Sequence, residues 1–172
     1  VLDLLSRYNA KATFFCVGDN IVKYPEIFKR IISEGHGIGN HSFNHLNGWN
    51  TNNEAYFKNI QKNSNQTHSI LFRPPYGKMT FSQFRWLKNH YQLIMWDVLS
   101  GDFDQTIPPQ QCYQNTIKHS KKGSIVVFHD NIKAARNLRY TLPRVLDYFQ
   151  NRAWVFRRIP VDPILVLTDD GE

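Results

Sequence analysis

Short strand-like runs recur along the chain, each followed by a stretch of helical periodicity. The runs are residues 12–17 (Ala12-Thr13-Phe14-Phe15-Cys16-Val17, closed by Gly18), 36–40, 69–73 (stopped by Pro74-Pro75), 91–96 and 123–128. Continuous apolar runs of this length suit strands buried on both faces. Helical spacing covers residues 1–8, 19–33, 53–62, 80–89, 108–120 and 134–150, the last with a bend expected at Pro143. Residues 153–159 and 164–168 are further strand candidates. Strands alternating with helices predict an α/β fold with a parallel sheet or barrel. In such folds the chemistry gathers at the carboxyl ends of strands.

At 172 residues the chain is long enough for a single domain with a real core. The net charge of +7 favours anionic partners, but it is scattered, with dense spots only at Lys121-Lys122 and Arg157-Arg158. That pattern reads as a solvated surface and not as a nucleic-acid site. Cys16 and Cys112 have no metal-type spacing and are expected as two buried thiols. No apolar stretch is long enough to span a bilayer, and no signal peptide opens the chain. Val1, Leu4, Leu5 and Tyr8 place the first residue inside a helical pattern, so upstream segments are expected.

Several polar residues directly follow predicted strands. His41-Ser42-Phe43-Asn44-His45 carries two imidazoles four residues apart, which can point at one divalent ion or simply face solvent. Arg73-Pro74-Pro75-Tyr76-Gly77 is a stiffened loop. It can present backbone N–H groups to an oxyanion and an arginine fork to a carboxylate, or be an ordinary turn. His129 ends the run at 123–128, where it can serve as a general acid or as a satisfied rim histidine. Asp97, Asp102 and Asp104 leave the run at 91–96, and capping of loops and turns accounts equally well for them.

Together these segments resemble the polysaccharide deacetylase family, the NodB-homology domain of carbohydrate esterase family 4. His41-Ser42-Phe43-Asn44-His45 fits its H-[ST]-x-x-H motif, Arg73-Pro74-Pro75-Tyr76 its R-x-P-[YF] motif, and Val127-Phe128-His129 its L-x-H motif with Val for Leu. Ala12–Phe15 with Gly18 is similar to the family's second strand. The family's first strand ends T-F-D-D-G. Here a similar segment, Ile164-Leu165-Val166-Leu167-Thr168-Asp169-Asp170-Gly171-Glu172, stands at the opposite end and lacks the phenylalanine. We infer a circular permutation, natural or engineered, or segments given out of order, with the join between Glu172 and Val1. In the D-x-x-D-W motif, Leu99 stands at the first Asp, Asp102 at the second and Phe103 at the Trp.

The resemblance implies a distorted, incomplete (β/α) barrel over residues 1–172, with 164–172 as the displaced first strand. It implies a divalent metal, zinc favoured, on Asp170, His41 and His45. Asp169 would be the catalytic base, Arg73 its orienting partner and the Tyr76 N–H an oxyanion donor. His129 would be the general acid, with Asp97 taking the place of the Asp missing at 99, since residues two apart in a strand share a face. The implied reaction is hydrolysis of N-acetyl groups on a peptidoglycan- or chitin-like glycan, outside the cytoplasm or at the cell envelope. Tyr76, Trp49 and Phe103 are rings that can stack on a sugar or fill a core. Two rival functions are a carbohydrate- or cell-wall-binding module of the same fold and an amidohydrolase of a small non-sugar amide.

Overall fold

A computed structural model of the chain describes residues 1–162. In chain order the elements are α1 (Leu2–Arg7), β1 (Thr13–Cys16), α2 (Gly18–Lys23), α3 (Pro25–Ser33), β2 (Gly37–Asn40), α4 (Asn53–Thr67), β3 (Leu71–Phe72), α5 (Phe81–Leu87), β4 (Gln92–Leu93), β5 (Val98–Leu99), α6 (Pro109–His119), β6 (Val126–Val127) and α7 (Ala135–Gln150). They divide into two compact units. The displaced strand expected at 164–168, with Asp169 and Asp170, lies outside the described residues.

Of the described residues, one unit comprises Lys11–Ile94 and 158–162. Its sheet is parallel in the order β1-β2-β3-β4, with Thr13 opposite Gly37, Cys16 opposite Asn40, and Asn40 opposite Phe72. The core is Tyr56, Ile60, Phe72 and Leu87. α4 starts where the Asn52 side chain accepts from the Ala55 N–H and ends at His68 in the left-handed region. Its buried residues Tyr56, Ile60, Asn63 and Thr67 recur at helical spacing and form one face. The single helix expected over 19–33 is two, α2 and α3. Pro25 has no N–H to continue a helix and holds Tyr24 away from helical angles (φ −132°, ψ 57°).

The strand expected at 153–159 does not form. Instead, the Ile159 N–H donates to Thr13 Oγ1 at 2.8 Å and the Asp162 N–H to Gln92 Oε1 at 2.9 Å, so those backbone donors go to side chains and not to a ladder. Cys16 is only half-buried, its thiol pushed up by burial to about 12, and both cysteines are unbridged.

The other unit comprises Val1–Ala10 and Met95–Arg157. It pairs β5 with β6 in parallel, Val98 opposite Val126 and Leu99 opposite Val127. β5 was not expected: the run at 91–96 yields only β4, and a separate strand opens at Val98. α7 buries Leu138, Leu142, Val145, Leu146 and Phe149, a helical stripe, and continues past Pro143. Among the described residues no helix is long and apolar enough to cross a membrane.

Two glycines in β2 let side chains of β1 lie over its backbone. A Cβ on Gly39 would collide with Cδ1 and Cε1 of Phe15, and one on Gly37 would meet Thr13 Oγ1 at 2.7 Å. We expect Gly39→Ala to destabilise the fold by about 1–3 kcal/mol through overpacking, read as a lowered melting temperature. A second expectation concerns acid. His36 is buried, with Nδ1 accepting from the Ala12 N–H, and burial, assisted by Lys11, lowers its pKa from 6.5. Below 6.5 the unfolded chain takes up a proton that the folded chain resists. Stability from this group is therefore complete above 6.5 and is lost as pH falls toward the lowered value. Denaturant titrations across that range should show a shallower loss for His36→Gln than for the parent.

Candidate active site

β2 delivers the chain to the paired histidines through a constrained loop. Ser42 and His45 both adopt positive φ (59° and 57°), which costs a non-glycine residue roughly 1–3 kcal/mol each unless the surroundings impose it. Asparagines impose it. Asn40, fully buried, accepts from the Ser42 N–H at 2.9 Å and from Asn63 Nδ2 at 3.0 Å. Its own amide donates to the Ile60 carbonyl and Ser64 Oγ. Asn59 Oδ1 accepts from the N–H groups of Phe43 and Asn44 at 2.8 and 2.9 Å. Asn63 Nδ2 also reaches the Cys16 carbonyl at the end of β1. One face of α4 thus clamps the loop.

His41 Nδ1 lies 2.7 Å from the Arg73 carbonyl oxygen. A carbonyl only accepts, so this nitrogen carries a proton, and the neutral ring then presents its lone pair at Nε2, the arrangement usual for a metal-ligating imidazole. The His41 and His45 rings stand 4.9 Å apart between centroids, at 70°. Two imidazoles so placed fit a divalent cation of the zinc type. Among the described residues, no group of three or more His, Cys, Asp or Glu side chains forms a metal site.

Arg73 emerges from β3. Its guanidinium lies 4.1 Å over the Phe15 ring and its Nε donates to the Ile94 carbonyl at 3.1 Å. Burial lowers its pKa to about 10, which leaves it charged at neutral pH, and a desolvated cation favours an anion beside it. Pro74 and Pro75 then force a tight turn in which Tyr76 takes φ 60°, ψ 6°. The turn is closed by the Gly77 N–H to the Pro74 carbonyl and the Lys78 N–H to the Pro75 carbonyl. The Tyr76 N–H bonds no acceptor among the described residues. Its ring packs edge-on against His45 at 4.6 Å.

In the other unit, β6 leads to His129. Its Nδ1 lies 2.8 Å from Asp102 Oδ1, and its N–H donates to Oδ2 of the same carboxylate at 2.7 Å. Asp102 is fully buried and lies just past Gly101, whose φ of 82° turns the chain back after β5. Asn137 of α7 donates to the carbonyls of Asp102, Asp104 and Ile107. This corrects the expected role of Asp97. The β5–β6 register places Asp97 beside Ile125, and its Oδ2 accepts the Ile125 N–H at 2.7 Å. Asp97 closes the start of the strand pair, and Asp102 is the partner of His129. Asn40, Asn59, Asn63 and Asn137 were not foreseen either. The only hint was asparagine at helical spacing within α4.

The family model described as polysaccharide deacetylase matches residues 1–91 of the 172. The chain belongs to the polysaccharide deacetylase family. It is 33% identical over 136 residues to a peptidoglycan-N-acetylglucosamine deacetylase of Bacillus cereus, covering 75% of this chain and 49% of that protein. It is 31% identical over 157 residues to chitin deacetylase 2 of Saccharomyces cerevisiae, covering 83% of this chain and 50% of that protein. The chain therefore spans about half the length of these relatives. The crystal structure of a peptidoglycan N-acetylglucosamine deacetylase superposes with a TM-score of 0.86 at 28% identity, over 92% of this chain and 78% of that one. The α/β class expected from the sequence, the distorted barrel of the NodB type, is the class of these polysaccharide deacetylases.

Asp97 and Asp102 are separable by mutation. Asp102→Asn should disturb the His129 ring, read as a displaced Nδ1–H resonance by NMR. Asp97→Asn should leave that resonance in place and lower thermal stability by about 1 kcal/mol through a weakened strand-edge bond.

Proposed function

We propose that residues 1–172 form one deacetylase domain, a metal-dependent hydrolase that removes N-acetyl groups from the sugars of a peptidoglycan- or chitin-like glycan and releases acetate. The observation that carries this reading is the orientation of His41 by the Arg73 carbonyl, next to His45, in a chain of this family. His41, His45 and Asp170 would hold the metal, with zinc suited to two imidazoles and a carboxylate. When bound, the cation supplies Lewis-acid polarisation of the acetyl carbonyl and acidifies a water.

Asp169 takes the proton from the attacking water, and Arg73, already stacked on Phe15, orients Asp169. The Tyr76 N–H, in its strained turn, donates to the carbonyl oxygen as that atom gains charge. A C–O bond forms and the C–N bond breaks. His129, held by Asp102, gives the proton that lets the nitrogen leave as an amine. A carboxylate base and a histidine acid supply opposite protonation states at one pH. The roles of Asp169 and Asp170 rest on the rearrangement of segments, with 164–172 taking the first-strand place beside β1. Action outside the cytoplasm or at the envelope follows from a cell-wall glycan substrate.

Metal analysis and acetate release from N-acetylglucosamine oligomers test the reading together. One divalent cation per chain is expected, lost in His41→Ala, His45→Ala and Asp170→Ala, with activity removed by chelation and restored by zinc. Arg73→Lys should lower kcat by about 100-fold with little change in KM, since orienting a base acts at the transition state. A chain ending at residue 163 that kept full metal affinity would exclude Asp170 and the rearrangement. Stoichiometric glycan binding without acetate release would favour the binding-module alternative.

A further inference from the structure

Trp49 is 63% exposed, yet the turn that carries it is tightly constrained. It sits in a single 3-10 turn, Gly48–Asn50, whose start is capped by Asn47 Oδ1 accepting from the Trp49 N–H at 3.0 Å. Gln83 of α5 is fully buried; its amide nitrogen serves this turn while its oxygen closes the capping box that starts α5. Its Nε2 donates to the carbonyls of Gly48 and Thr51 at 2.9 and 3.1 Å, and its Oε1 accepts from the Thr80 N–H. A Cβ on Gly48 would meet Gln83 Oε1, the Lys78 carbonyl and Met79 Cα at 2.5–2.9 Å, so only glycine permits this approach. The indole is fixed as well. Its Nε1 donates to the Met79 carbonyl at 3.1 Å, and Lys78 Nζ lies 4.7 Å over the ring.

A buried amide and a close glycine contact are a large investment for holding an indole in water. Neither is needed to bury apolar area, because the ring stays exposed. Such rigidity instead lowers the ordering cost of binding. The indole's polar atom is already satisfied from within. Lysine lies against one ring face, and the exposed remainder is an apolar surface suited to the C–H face of a pyranose.

Its place fits a glycan. Tyr76, whose ring touches His45, lies two residues before Lys78, at most roughly 7 Å along the backbone. Lys78 makes no ion pair among the described residues, so its ammonium can meet a carboxylate beside the stacked ring. We propose that Trp49 and Lys78 form a second sugar subsite next to the reaction site, Trp49 stacking on the neighbouring hexosamine and Lys78 pairing with a carboxylate on the glycan. The inference rests on the deacetylase reading for its substrate. It selects acidic, peptidoglycan-like chains over neutral ones, in keeping with the net charge of +7.

The test is calorimetric binding to the full, zinc-loaded chain of two probes: chitopentaose, which is neutral, and a muramic-acid-containing peptidoglycan tetrasaccharide. Trp49→Ala should weaken both about tenfold, and Trp49→Phe should recover most of the loss. Lys78→Gln should weaken the tetrasaccharide about tenfold more than chitopentaose, with the gap closing at high salt. In acetate assays the Trp49→Ala effect should appear chiefly in KM. Binding of either probe unchanged within twofold in Trp49→Ala, or no binding by the parent chain, overturns the subsite. Equal effects of Lys78→Gln on the two probes overturn the preference for acidic glycans. Trp49-dependent binding without acetate release would leave the subsite standing and sink the deacetylase reading alone.

Discussion

Asn40 is fully buried at the end of β2, and both its side-chain oxygen and its nitrogen are bonded. Much of the histidine loop depends on it. The amide ties the turn at Ser42 to α4 and, through Asn63, to the end of β1. Apolar packing alone would not keep two non-glycine residues at positive φ, because it has no directional preference. A buried network of directed hydrogen bonds does have one, although the Asn63 side-chain oxygen finds no partner among the described residues. That directionality explains why asparagines, and not larger apolar residues, line this face of α4.

The same sheet end organises the second loop. Asn40 pairs with Phe72, so the Arg73 N–H reaches the Asn40 carbonyl and the Arg73 carbonyl reaches His41. A single residue therefore serves both loops: its backbone sets the tautomer of His41, and its side chain carries a desolvated charge over Phe15. The Phe15 ring fits there because Gly39 has no side chain. In the other unit, Asp102 uses both carboxylate oxygens on one histidine, which fixes the ring and its Nδ1 proton together.

Much of this was legible in order of locality. Residues 12–17 and 123–128 read as strands because their apolar character is continuous, and the periodicity of 134–150 read as a helix because nothing interrupts it but one proline. The break at Pro25 was written in the sequence too, but the apolar stripe of Ile21, Ile27, Phe28 and Ile31 masked it. β5 was missed because two residues of strand leave no period to detect. The strand expected at 153–159 failed because β propensity measures fit to a neighbouring strand, and there the Ala153 and Trp154 N–H groups return to carbonyls at the end of α7 while the Ile159 N–H meets the Thr13 side chain.

The sequence by itself determined the chemistry available: two imidazoles four apart, an arginine before paired prolines, and a histidine after an apolar strand. Those are contiguous patterns, and the residues that define them travel together whatever the fold does. Only the tertiary structure decided which groups meet. Strand register sent Asp97 to Ile125, and the left-handed Gly101 turn brought Asp102 to His129. The pairing of β2 with β3 aimed the Arg73 carbonyl at His41, and a buried glutamine 34 positions away in the chain fixed Trp49 in the open. Such choices depend on distances between residues far apart in the chain, and hydrogen bonds act only over about 3 Å. No local pattern encodes them.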